Sequence, residues 1–206
     1  MGDSKTKNTE PLQPKNNEDI CKEKTENYEE DIRGFLDTRI ILVTGMITEQ
    51  TTNNIIKELE QLKLKDSKRP IQMVINSRGG NAYDVLSIME YMRIIEIPIY
   101  TKAVGYAFSG AAALLTQGEA GHRYMSRNSF VMLHELQVKL AGSMHDVDKE
   151  YQQYVILNSG VFNLIFKSCN LKTKAEKNNF LEEVVLQEKY LNATEAKKLN
   201  LIDHII

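Results

Sequence analysis

A serine stands where an apolar strand gives way to a helix of small residues. Ser109 lies in the segment VGYAFSGAAALL, residues 104–115, and Gly110 follows it directly. A serine at a helix start is commonly an N-cap, because its hydroxyl accepts hydrogen bonds from otherwise unpaired amides. The same position suits a nucleophile, since the Ser109 and Gly110 amides at the positive helix end could stabilise an oxyanion. The segment therefore indicates either a cap or a nucleophile.

Two further features have the residue types that acyl transfer needs. Gly79 and Gly80 follow a predicted strand, and His134 ends the apolar run SFVML. A double glycine most often marks a tight bend, but it also offers side-chain-free backbone along which an extended peptide could pair. A histidine at a strand end is by default a core or boundary residue. It becomes a general base if it lies within hydrogen-bond reach of Ser109.

A third group, normally a carboxylate, orients the imidazole in such an arrangement. Spacing does not choose among the candidates, which are Glu135, Asp146, Asp148, Glu182, Glu183 and Glu188. The four histidines are scattered and lack the spacing of metal ligands. We therefore predict neither a metal site nor a cofactor.

Alternating strands and helices must position these residues. The strands are predicted at residues 39–45, 71–76 and 99–105, and helical periodicity fills the intervals between them. The apolar run of the first strand, RIILVTG, suggests burial on both faces. Short connections between alternating elements predict an α/β fold with a mainly parallel sheet. Since ligands gather at the carboxyl ends of such strands, the glycines, Ser109 and His134 are expected at one edge.

The rest of the chain is predicted to hold two short strands around an Arg-Asn turn, then mostly helix. Long helical stretches cover about 143–167 and 175–186, and a capped helix with a last strand closes the chain. The amino-terminal residues 1–32 are rich in lysine and glutamate and poor in apolar side chains, which predicts a flexible polar tail. Residues 33–206 then form one domain.

Composition excludes several classes of protein. With 206 residues, 42% hydrophobic and 26% charged, the chain can build one domain with a sizeable core. The net charge of -2 gives no basic field for nucleic acid, and no apolar run approaches membrane-spanning length. Two cysteines form no disulfide framework, which suits a reducing compartment. A cytoplasmic protein is expected, or an organellar one if the source is eukaryotic.

Four ordered blocks resemble the proteolytic subunit family of the Clp protease. VINSRGG is similar to the family's INSPGG, VGYAFSGAAALLTQGEAGHRYMSRNS to its nucleophile region, VMLHEL to VMIHQP, and YLNATEAKKLNLIDHII to its closing segment. The resemblance spans about residues 39–206. It implies a crotonase-like α/β fold of repeated β-β-α or β-α units, with helices on both sides of a mainly parallel sheet. It also implies a protruding helical handle at about residues 135–168.

The resemblance assigns roles residue by residue. Ser109 matches the nucleophile and His134 the general base, while the amides of Gly79 and Gly110 match the oxyanion positions. Glu188, in EKYLNA, stands where the family carries the aspartate of its triad. A Ser-His-Glu variant of the serine-peptidase triad is therefore expected.

The sequence also departs from the family pattern. Arg78 replaces the proline of SPGG and, with Gly80, is expected to contact substrate, whereas Gly110 replaces a methionine and changes the wall beside the nucleophile. Gln72 and Val74 stand where the family has tyrosines that help to bind the partner ATPase. Docking to an AAA+ unfoldase is therefore a weaker expectation than the peptidase chemistry.

The implied function is that of an ATP-dependent serine endopeptidase subunit. It would hydrolyse unfolded proteins or peptides within a chamber of homo- or hetero-heptameric rings stacked as a tetradecamer, without a cofactor, nucleic acid or membrane. One alternative is a weakly active or inactive structural subunit of a mixed ring. Another is an acyl-CoA hydratase or isomerase of crotonase fold, which would need acids on the helix that begins AFSGAAA.

Overall fold

The first half of the described chain alternates strands with helices. The computed structural model describes residues 38–206, so the predicted tail at 1–32 lies outside the described residues. The elements are β1 (Ile40–Ile47), α1 (Glu49–Lys65), β2 (Ile71–Gly80), α2 (Ala82–Ile94), β3 (Ile99–Phe108) and α3 (Gly110–Thr116). β1 pairs in parallel with β2, and β2 pairs in parallel with β3. The predicted α/β fold with a mainly parallel sheet is confirmed.

The second half has shorter strands and longer helical stretches. Its elements are β4 (Arg123–Met125), β5 (Phe130–Met132), α4 (Met144–Ser168), α5 (Lys174–Phe180), a π-helical turn (Leu181–Val185), β6 (Leu191–Asn192), α6 (Ala193–Lys198) and β7 (His204–Ile205). A capping box at Asn192 begins α6, as the closing segment predicts. The strand order is β1-β2-β3-β4-β7, and β4 and β7 also run parallel to their neighbours.

β3 has two partners along one edge, and this brings the ends of two strands together. Its Thr101–Ala103 segment pairs with β4, whereas Tyr106–Phe108 pairs in parallel with β5. β6 then adds to β5 in the antiparallel direction. The carboxyl end of β3, where Ser109 follows, consequently lies beside the carboxyl end of β5, where His134 follows.

The central strands bury alternate residues rather than continuous runs. Ile41, Met73 and Ala103 are fully buried, whereas Leu42 and Val104 are 47% and 42% exposed. The expectation that β1 is buried on both faces is therefore wrong for the single chain. Within residues 38–206, helical residues such as Leu59 complete the core on one face, and the other face keeps its apolar side chains accessible.

The segment expected as a handle, residues 135–168, contains an irregular stretch followed by α4. The carboxyl-terminal half of α4 is anchored by buried Leu157, Phe162 and Ile165, while Met144 and Ile156 are 88% and 65% exposed. The amino-terminal half thus carries apolar side chains with little of the described chain against them. No helix between residues 38 and 206 is long and apolar enough to cross a membrane.

A partly buried ion pair links the carboxyl-terminal segment to the sheet. Arg123 on β4 donates from Nε and Nη2 to the two carboxylate oxygens of Asp203, at 2.9 and 2.6 Å, and from Nη1 to the Ser168 carbonyl. Burial favours the neutral form of Asp203, but the hydrogen bonds and charge of Arg123 outweigh it and hold the pKa of that carboxyl below its usual value. The pair therefore ties β4, α4 and the segment before β7 together.

Candidate active site

Ser109 occupies the turn between β3 and α3 in an unusual backbone conformation. Its φ is 55° and its ψ is -126°, a combination that non-glycine residues rarely adopt and that costs about 1–3 kcal/mol. Although Ser109 sits at the N-cap position of α3, its side chain accepts no capping hydrogen bond. Its amide donates to the Met132 carbonyl of β5 at 2.7 Å. The hydroxyl is therefore not consumed by capping, and the turn is fixed to the strand that leads to His134.

The two glycines expected at the oxyanion site lie against each other. A Cβ added at Gly79, where φ is 86°, would lie 2.7 Å from the Gly110 nitrogen and 2.7 Å from the Phe108 oxygen. Only glycine accommodates both this φ and this contact. Gly110 is the first residue of α3, and amides in the first turn of a helix have no intrahelical acceptor. The structure therefore brings Gly79 and Gly110 together beside Ser109.

The Gly79 amide is already engaged by a residue that sequence reasoning missed. It donates to the Ser77 hydroxyl at 3.0 Å, and that hydroxyl donates to the Gly45 carbonyl at 2.6 Å. Ser77 is completely buried. A serine in the strand motif INSRGG was the available signal, but only the pairing of β1 with β2 shows that its hydroxyl bridges two backbone groups.

His134 lies two residues beyond β5 and shares a groove with Ser109. Its side chain is half-buried, and its Nδ1 lies 2.6 Å from the Glu135 carbonyl oxygen. A carbonyl only accepts, so this contact places the proton on Nδ1 and leaves the Nε2 lone pair free. No hydrogen bond links Ser109 and His134 among residues 38–206. The two groups are neighbours in one groove without being joined.

Glu188 is near this region, but its carboxylate does not contact His134 through a hydrogen bond. It follows the π-helical turn with φ at 46°, its amide donates to the Val185 carbonyl, and its side chain is exposed. Two residues later, the ring of Tyr190 packs edge-on against Phe108 at 5.2 Å. The loop therefore contacts the end of β3 through Tyr190, while the exposed Glu188 side chain makes no hydrogen bond to His134.

The other candidate carboxylates are also not hydrogen-bonded to the imidazole. Asp146 accepts from the Ser143 hydroxyl at the start of α4, and Glu135 contributes its main-chain carbonyl rather than its side chain. Within the described residues, the carboxylates of Asp148, Glu182 and Glu183 have no hydrogen bond to His134 either. The backbone carbonyl of Glu135 is the group that holds the imidazole in this structure.

A groove of about 360 Å³ runs past Ser109 and His134. The described residues that line it include Arg78, Gly80 and Tyr154. None of these described lining residues is an aspartate or a glutamate. An apolar cavity of about 30 Å³ adjoins it. The cavity shares Ser109 and His134 with the groove and is closed by apolar residues that include Val85, Ala113, Leu133, Val161, Phe162 and Ile165.

Local packing explains two glycines of the site, Gly80 in the groove and Gly110 in the adjoining cavity. A Cβ at Gly80 would lie 1.9 Å from the Ile47 carbonyl oxygen, so glycine there allows the close approach of β1 as well as lining the groove. A Cβ at Gly110 would lie 2.4 Å from Val85 Cγ2. Val85 therefore takes the space that a side chain at position 110 would need. Asn158, which the sequence did not single out, accepts from the Leu136 amide and fixes the segment after His134.

Comparison with known proteins gives one consistent family. The sequence profile of the Clp protease family matches residues 23–206. The chain is 30% identical over 172 residues to the ATP-dependent Clp protease proteolytic subunit of Deinococcus radiodurans, which covers 84% of this chain and 82% of the relative. It is 28% identical to proteolytic subunit 1 of Rhodopirellula baltica and 29% identical to that of Salinibacter ruber. These matches cover 84% of this chain, and 74% and 72% of the relatives.

Proposed function

Because this chain belongs to the Clp protease family of serine peptidases, we propose that it cleaves peptide bonds with Ser109 as the nucleophile. The observation that carries the proposal is the Ser109 turn. A strained residue at the start of α3 presents a hydroxyl that caps nothing, in a groove that also contains His134. Strain of this kind persists where the surrounding structure fixes it, and it is concentrated at active sites.

In the proposed reaction His134 is the general base and then the general acid. With its proton on Nδ1, the imidazole offers Nε2 to the Ser109 hydroxyl as Oγ attacks the substrate carbonyl. The same nitrogen returns the proton to the leaving amine, and water then releases the acyl group by the reverse sequence. The hydrogen bond between Ser109 and His134 is proposed to form when substrate binds, since active-site hydrogen bonds often tighten only at that stage.

The developing oxyanion is proposed to meet the amides of Gly110 and Gly79. The Gly110 amide is a first-turn amide at the positive end of α3. The Gly79 amide can serve only after it leaves the Ser77 hydroxyl, to which it now donates. One donor is therefore available at the outset, and the second depends on a local rearrangement of β2.

Glu188 is proposed as the third member of the triad, and the register of β5 and β6 supports this assignment. Phe130 pairs with Asn192 and Val131 pairs with Leu191 in the antiparallel direction. Continuing the same register for three more pairs would set Glu188 opposite His134, and directly opposed side chains lie about 5 Å apart at Cβ. In the proposed active form this ladder extends, and Glu188 replaces or reinforces the Glu135 carbonyl at Nδ1.

We further propose that the chain acts as an endopeptidase subunit of stacked heptameric rings that degrade unfolded proteins with an AAA+ unfoldase. The relatives compared above are ATP-dependent Clp protease proteolytic subunits. Exposed apolar side chains on the open sheet face and on α4, such as Leu42, Val104 and Ile156, support assembly with other chains. A cytoplasmic location remains a prediction from the sequence.

The decisive experiment is covalent labelling of the assembled protein at neutral pH with a fluorophosphonate or β-lactone. The expected result is a mass increase confined to the peptide that contains Ser109, abolished in Ser109→Ala. The absence of labelling in assembled protein would count against the catalytic proposal. Hydrolysis of casein by the same preparation tests the endopeptidase assignment.

A second candidate function is that of a weakly active or inactive subunit in a mixed ring. It is favoured by the two incomplete parts of the site, the Glu188 carboxylate without a hydrogen bond to His134 and the Gly79 amide held by Ser77. Native mass measurement after co-purification separates the candidates. Homomeric tetradecamers that cleave casein would eliminate the structural role, whereas mixed rings without labelling at Ser109 would establish it.

A further inference from the structure

Arg78 is the extra residue of a β-bulge at the edge of the groove. Gly45 pairs with Ser77 and Met46 pairs with Gly79, which leaves Arg78 without a partner on β1. Its neighbours Ser77 and Gly79 are buried, while Arg78 is exposed and lines the groove that contains Ser109. Bulges beside active sites commonly redirect one side chain. Here the bulge directs a cation toward the place where a substrate would lie.

The guanidinium of Arg78 has an unused capacity to bind an anion. Within residues 38–206 its side chain makes no hydrogen bond or ion pair, whereas Arg93 pairs with Glu90 and Arg123 with Asp203. The groove itself supplies no carboxylate among its lining residues. Guanidinium groups recognise carboxylates through two parallel N–H donors. A carboxylate on a peptide bound in this groove would be a counter-ion for Arg78.

The apolar cavity shows which substrate residue is not the partner. It adjoins Ser109, holds about 30 Å³ and is lined by apolar residues such as Val85 and Phe162. An ionised side chain there would lose its hydration without gaining a counter-ion. The cavity therefore suits a small apolar residue at the attacked carbonyl and not an acidic one, which leaves the flanking subsites for an acidic residue.

We propose that Arg78 selects peptides with an aspartate or glutamate within about three residues of a small apolar residue at the cleavage point. The inference rests on the proposed peptidase function and adds a substrate class to it. An exposed ion pair contributes modestly, so the expected preference for aspartate over asparagine is about two- to fivefold in binding. The preference should vanish at about 1 M salt, where the Debye length is about 3 Å.

The test measures binding to the full-length Ser109→Ala protein, so that cleavage is not required. Fluorescent peptides share one small apolar residue at the cleavage point and carry aspartate or asparagine at each flanking position in turn. We expect one position at which aspartate binds about two- to fivefold more tightly, and loss of that difference in Ser109→Ala/Arg78→Gln. The matched control is Ser109→Ala/Arg127→Gln, since Arg127 is exposed and does not line the groove; it should keep the preference.

Equal binding of the aspartate and asparagine peptides at every position would overturn the inference. So would a preference that survives Arg78→Gln. Labelling of Ser109 in the unmodified protein separates this result from the peptidase proposal. Labelled protein without an acidic preference removes only the role of Arg78. An Arg78-dependent preference without labelling keeps the acidic subsite and removes the catalytic proposal.

Discussion

Gly110 and Val85 provide a direct test of how this active-site turn is packed. The family segment that the sequence resembles carries methionine at the position of Gly110, so the glycine needs a structural reason. A Cβ at Gly110 would lie 2.4 Å from Cγ2, 3.2 Å from Cγ1 and 3.3 Å from Cβ of Val85. Val85 is 2% exposed and cannot turn away from the core. Gly110→Ala should therefore overpack this contact.

The obstacle is the buried side chain of Val85, and this sets the expected changes in the free energy of unfolding. Overpacking a core contact lowers the free energy of unfolding by about 1–3 kcal/mol. Val85→Ala removes two methyl groups and leaves a small cavity, which costs about 2 kcal/mol. In the double variant the alanine methyl at position 110 enters the space left by Val85, so the two losses should not add. We expect a favourable coupling energy of about 1–3 kcal/mol.

Urea unfolding of the wild type, both single variants and the double variant measures this coupling. A double variant whose loss equals the sum of the single losses, within about 0.5 kcal/mol, would refute the packing argument. Gly79→Ala is the contrasting case, because its obstacles are the backbone atoms of Gly110 and Phe108 and its φ is 86°. No side-chain truncation should rescue that variant.

Three further predictions concern the site and its support. Glu188→Gln should lower kcat/KM by about 100-fold or more, as expected for an orienting carboxylate, whereas Glu182→Gln in the adjacent π-helical turn should stay within about threefold. Ser77→Ala should lower the free energy of unfolding by about 1–3 kcal/mol in a urea titration, since it leaves the buried Gly79 amide without its acceptor and removes the donor to the Gly45 carbonyl. Asp203→Asn should lower it by about 3 kcal/mol at neutral pH by leaving buried Arg123 without its counter-ion. Because folding lowers the pKa of Asp203, the difference in the free energy of unfolding between the wild type and Asp203→Asn should shrink as pH falls below 3.8.

Much of the fold follows from local signals in the sequence. The apolar strands, the helical stripes and the glycine-marked ends predict the alternating first half, and Asn192 with Glu195 predicts the final capped helix. The prediction that β1 is buried on both faces was wrong for the single chain, because an apolar run does not show what covers each face of a strand. Leu42 is apolar yet 47% exposed in the single chain. An apolar residue in such a strand has the same pattern whether its side chain joins the core or stays exposed.

The candidate site was predictable only in its principal residues. Ser109 and His134 follow the carboxyl ends of two strands, so parallel-sheet topology alone expects them at one edge. The bulge at Arg78 and the Ser77 bridge depend on a register shift between β1 and β2 that no local pattern encodes. The sequence therefore predicts which residue types form the site, but it does not predict the hydrogen bonds that these residues already make.

Glu188 shows the difference between the residue types that the sequence predicts for the site and the hydrogen bonds that the structure contains. The family resemblance predicts Glu188 as the third triad member, and a continuation of the β5–β6 register would set it across from His134, yet Glu188 has φ 46° and lies outside the observed ladder. In this structure the Glu135 carbonyl oxygen accepts the hydrogen bond from His134 Nδ1. A carbonyl orients a neutral imidazole, but a carboxylate also stabilises the imidazolium that forms when Ser109 is deprotonated. If the β5–β6 pairing were extended by three residue pairs, a carboxylate would therefore stand beside the imidazole and make it a stronger base. Glu188→Gln is accordingly the variant that most directly separates a peptidase from a structural subunit.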